Sequence, residues 1–99
     1  MIEMVPFEIG GNFYKGVLVQ LPKTSLLMIS GKEGYIMCGA LDIELLNERL
    51  TERKIIAGRA VGVRTFEELL NAPLESVTVE AQKRGIVPGM IGRDAIQLM

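Results

Sequence analysis

The turn sequence Gly10-Gly11-Asn12 divides two stretches that read as β-strands, and it restricts the fold more than any other feature of the chain. Glycine accepts the positive backbone angles that a tight reversal demands, so the chain must fold back here. Beyond the turn, Phe13 to Leu21 alternates. Phe13, Val17, Val19 and Leu21 fall on one face, with Lys15 the exception, and Tyr14, Gly16, Leu18 and Gln20 fall on the other. A period of two is that of a half-buried strand. Met1 to Ile9 mixes apolar and acidic residues and is expected to be a strand as well. Pro6 assigns it to a sheet edge, because proline has no N–H for a second neighbour. Pro22 and Lys23 end the second strand.

Two short apolar runs follow, Leu26 to Ser30 and Tyr35 to Cys38, joined by Gly31-Lys32-Glu33-Gly34. They predict a second hairpin. Leu41 to Arg53 predicts a helix, with Ile43, Leu46 and Leu50 on one side and Glu44, Glu48 and Glu52 on the other. Lys54 to Arg64 predicts a strand with an almost bare face of Gly58, Ala60 and Gly62 beside Ile56. Something must lie close against such a face: a helix, another backbone or a flat ligand. Thr65-Phe66-Glu67-Glu68 is a capping box that opens a short helix to Asn71. Pro73 to Gly85 is read as a further helix from its proline start and its Lys83-Arg84-Gly85 stop, against the β-branched alternation of Ser76 to Val79. Pro88-Gly89 is a turn, and Arg93 to Leu98 a last short helix.

Residues 1–99 are read as a single domain. The order of elements predicts an α+β fold: a mixed or mainly antiparallel β-sheet of about five strands with three to four helices packed against it. With no tryptophan and five aromatic side chains, the core must be mostly aliphatic.

Charge and composition exclude more than they select. The net charge of −1 leaves no electrostatic footprint for nucleic acid. Arg49 to Arg64 holds five bases against the single acid Glu52, and Thr65 to Gln82 holds four acids and no base. Opposed blocks of this kind are two solvated faces, or they pair within the fold or across a self-association contact. No uncharged run approaches the roughly 18 residues of a membrane span. The stretch MIEMVPFEIGG lacks a basic region followed by an apolar one, so a secretory signal is not expected and a cytoplasmic location is.

The chain has no histidine and one cysteine. Ser–His–Asp and Cys–His sites within one chain are thereby excluded, and so is a disulfide framework. A four-ligand zinc site has too few Cys and His donors. Carboxylates remain as ligands for magnesium or calcium, but there is no EF-hand loop, and neither a metal nor a cofactor is expected.

Three candidate sites remain. Cys38 stands just before a helix start that Asp42 can cap, with Gly39 between. It is either a small buried hydrophobe or a thiolate held by a helix end or an arginine. Arg59 falls on the apolar face of its strand with Ala57, Val61 and Val63, where it must meet a carboxylate or a cavity. Arg64 and Thr65 lie at the mouth of the next helix, a fair place for an anion. The alternative is that both arginines hold carboxylates such as Asp42 or Glu68, within the fold or across a dimer contact. Gly89-Met90-Ile91-Gly92-Arg93 resembles a KH-type backbone clamp only superficially, and reads as a turn.

The segments LPKTSLL, GYIMCGALD, LNERL, AGRAVGVRTFEELL, APLESVT and PGMIGRDA, in this order and spacing, closely resemble the YunC-like family of small bacterial and archaeal proteins. That family is classed as a domain of unknown function. The resemblance implies one cytoplasmic α+β domain and carries over no catalytic residue. Three functions fit the residues. The first is a self-associating domain, a dimer or higher homo-oligomer, that binds a small anionic or polar molecule through Gly39, Asp42, Arg59, Arg64 and Thr65. The second is a structural or regulatory interaction module. The third is a transferase or hydrolase of activated acyl groups with Cys38 as nucleophile.

Overall fold

A computed structural model describes residues 1–48 and 51–99 of the chain. Arg49 of the basic block and Leu50 of the helical periodicity lie outside the described residues. The first hairpin forms at the expected turn. Strand β1 (Ile2–Ile9) pairs antiparallel with β2 (Asn12–Leu21), and Ile9 faces Asn12 across the turn. Gly10 and Gly11 both take positive φ, +59° and +85°. That is the left-handed pair a two-residue hairpin turn needs to match the strand twist. β3 (Thr24–Ser30) and β4 (Gly34–Met37) form the second hairpin, closed by the Gly31 N–H on the Gly34 carbonyl.

The chain then makes helix α1 (Ile43–Glu48) and a 3₁₀ turn (Thr51–Arg53). β5 (Ile56–Arg59) follows, parallel to β4. Next come α2 (Phe66–Asn71), β6 (Ser76–Val77), α3 (Val79–Lys83) and α4 (Gly92–Ile96). Among the described residues the sheet has six strands in chain order β1 to β6, one more than expected, with β4–β5 the only parallel pair. It is an α+β domain with a mixed sheet. No helix among the described residues is long and apolar enough to cross a membrane.

Three expected elements change. The helix predicted over Leu41–Arg53 starts at Ile43, and Thr51–Arg53 form a 3₁₀ turn. The strand predicted over Lys54–Arg64 stops at Arg59, and Gly62 turns with φ +74°. Gly58 and Ala60 are nevertheless buried as the bare face requires, and the occupant is internal. A methyl group placed on Gly58 would sit 2.6 Å from a Leu74 methyl. The helix predicted from Pro73 to Gly85 begins only at Val79. Ser76 and Val77 pair with β5 first, so strand pairing wins over the Pro73 signal. The stop is where the sequence places it, with Gly85 at φ +86°.

The main core lies on one side of the sheet. Leu27, Ile29 and Ile36 from the strands meet Leu69, Leu74 and Ile96 from the segments that cover them. A smaller cluster of Ile43, Leu46 and Ala57 forms where α1 packs on the other side of β5. Beyond that cluster the second side is open. On β2 the buried set is Tyr14 and Gly16, while Phe13 on the more apolar face is 75% exposed.

Candidate functional site

The parallel pairing of Met37 with Arg59 brings the segment after β4 beside the end of β5. Arg59 uses its whole guanidinium there. Nε and one terminal nitrogen donate to the Gly39 carbonyl at 3.2 and 3.0 Å, and the other donates to the Glu75 carboxylate at 2.8 Å. Glu75 is placed by β6, and its own N–H donates to the Arg59 carbonyl. The carboxylate that holds Arg59 is therefore Glu75, not Asp42 or Glu68. Those two cap helices: Asp42 Oδ1 accepts the Leu45 N–H at 3.0 Å, and Glu68 Oε1 accepts the Arg64 N–H at 2.8 Å.

Cys38 faces the main core and is 6% exposed. Its Sγ accepts the Leu27 N–H at 3.5 Å, and its own N–H donates to the Leu27 carbonyl. Gly39 is exposed, and a side chain there would meet Arg59 and Val61 only at ordinary contact distance. Thr65 Oγ1 accepts the Glu68 N–H at 3.1 Å, which completes the cap of α2. The Arg64 side chain has no ion pair among the described residues. The fold thus joins Gly39 to Arg59 and adds Glu75, while Arg64 and Thr65 serve the start of α2.

None of these residues lines the large concavity of the structure. That is a cleft of about 870 Å³ at the other end of the sheet. It exists because β2 overhangs β3. Asn12, Phe13 and Tyr14 pair with β1, but the pairing with β3 ends at Lys15 and Ser30. The gap is bounded by the β3–β4 turn and by the chain from Gln97 to Met99, whose carbonyl accepts the Glu33 N–H. Met4, Pro6, Phe13 and Leu98 supply apolar wall; Lys15, Lys32, Glu33 and Arg84 supply charge. Arg84 pairs with Glu33, and neither lysine has a carboxylate partner among the described residues.

Sequence reasoning missed this cleft because its walls come from five separate segments. Its one local signal is Lys15, the base that interrupts an otherwise apolar face. No group of three metal-ligand side chains gathers among the described residues.

A family described as a domain of unknown function, DUF1805, matches residues 37–99. The uncharacterized protein YunC of Bacillus subtilis is 54% identical over 99 residues, which covers 100% of this chain and 98% of that protein. The crystal structure of a protein of unknown function from Thermoplasma acidophilum shares the fold with a TM-score of 0.88 at 38% identity. The match covers 98% of this chain and 91% of that one.

Proposed function

The chain belongs to the DUF1805 family, and from that premise we propose that it is a binding domain for a small amphipathic organic anion, held in the cleft beside the β2 overhang. The carrying observation is that two lysines without carboxylate partners among the described residues stand beside an apolar wall. The cleft volume falls within the roughly 300–1,000 Å³ of ordinary ligand sites. Lysine presents a mobile point charge suited to a carboxylate or phosphate. Met4, Pro6, Phe13 and Leu98 offer the hydrophobic body of such a molecule a surface to leave water for.

Binding is favoured over cysteine chemistry because Cys38 is packed in the core with its sulfur already hydrogen-bonded. It is favoured over a site at Arg59 because Glu75 and the Gly39 carbonyl occupy that guanidinium. The test is a thermal-shift series with aliphatic and aromatic carboxylates and phosphate monoesters. At least one class should raise the melting temperature with concentration. The rise should vanish in the Lys15→Ala, Lys32→Ala double variant and persist in Arg64→Ala. A flat panel would reject the reading, and loss of the response in Arg64→Ala would move the site to the start of α2.

A further inference from the structure

Strands β1 to β3 present an apolar face that this chain leaves largely uncovered. Their register sets Ile2, Val19 and Leu26 in one row, and Met4, Val17 and Met28 in the next. Ile2 is 70% and Met4 62% exposed, and the other four are half-buried. The main core takes the opposite side of these strands, with Leu26 also reaching it, and α1 covers this side over β5 and beside Tyr35 of β4.

We infer that a second copy of this chain closes the face, sheet against sheet, about a twofold axis lying in the interface. Size supports this. The 25 residues of β1, β2 and β3, at about 3.3 Å each in strands about 4.8 Å apart, span roughly 400 Å² in projection. Side-chain corrugation raises the accessible area toward the roughly 600 Å² per partner of the smaller stable interfaces.

Charge supports it too. The two apolar rows carry none, and a net charge of −1 gives copies little to repel them. A face with no charge in its rows has no means of selecting a partner of different chemistry, whereas a twofold copy matches it row for row. The free edge of β1 is the weaker contact: Pro6 lacks an N–H, and Glu3 and Glu8 interrupt its apolar residues. Sheet-on-sheet packing uses the face itself. The face shares Met4 with the cleft wall, but Val17 and Met28, where it is tested, lie outside the cleft lining.

Sedimentation equilibrium of the full chain should give twice the chain mass at high concentration. Val17→Glu and Met28→Glu should each return the mass to one chain, while Val87→Glu, at an exposed position off this face, leaves it doubled. Peroxide oxidation of the native chain gives a check that needs no variant. Met4 and Met28 should form sulfoxide several-fold more slowly in concentrated than in dilute protein, at matched peroxide. A chain that stays monomeric throughout, a doubled mass that survives both variants, or equal oxidation rates at both concentrations would overturn the inference. So would a monomer that binds lipid vesicles through this face.

Discussion

At the scale of single residues, the structure turns two sequence oddities into packing statements. Gly58 is small because Leu74, 1% exposed, lies against its backbone. Gly58→Ala should therefore destabilise the fold by about 1–3 kcal/mol in urea denaturation, since a buried leucine has little room to retreat. Arg59 stands on an apolar strand face because Glu75 and Gly39 satisfy it there. Tyr35, packed beside the Ile43 and Leu46 cluster, has its phenol pKa pushed up from 10.0 by burial. Its neutral form is favoured in the fold, so its contribution is complete below the unfolded value of about 10 and is lost as pH rises through the higher folded one. Melting temperature should fall at alkaline pH, and Tyr35→Phe should make that fall shallower.

At the scale of elements, Thr78 is the residue on which most local order converges. It is 2% exposed, and its Oγ1 accepts both the Ala81 N–H that opens α3 and the Ala57 N–H of β5. Its own N–H donates to the Ala57 carbonyl. Asn47 of α1 accepts the next free N–H of α3, from Val79. Thr78→Val keeps the shape but leaves two N–H groups without acceptors. It should cost about 2–3 kcal/mol, read as a lower urea midpoint. This explains why residues 73–85 misled a one-element reading. Ser76-Val77 is a strand, Thr78 is a cap and Val79–Lys83 is a helix, and the switch depends on Ala57, some 20 residues away. The capping box at Thr65 was legible because both of its partners lie within four residues.

At the scale of the molecule, the two faces of the sheet have unequal fates. If a second copy covers the open one, melting temperature should rise with protein concentration in the native chain and stay flat in Val17→Glu, because association stabilises only the folded form. The hairpins, the turn glycines, the Asp42 and Thr65 caps and the α+β class all follow from the sequence alone. Each rests on the period of two, on glycine's backbone freedom or on a side chain reaching a neighbour in the chain. Tertiary structure decided what joins distant segments: the length of β5, the Leu74 contact under Gly58, the choice of Glu75 for Arg59, and the overhang that opens the cleft. It also decided which face of Phe13–Leu21 is buried. Alternation shows that a strand has two faces, but only the helices, by packing on one of them, determine which leaves water.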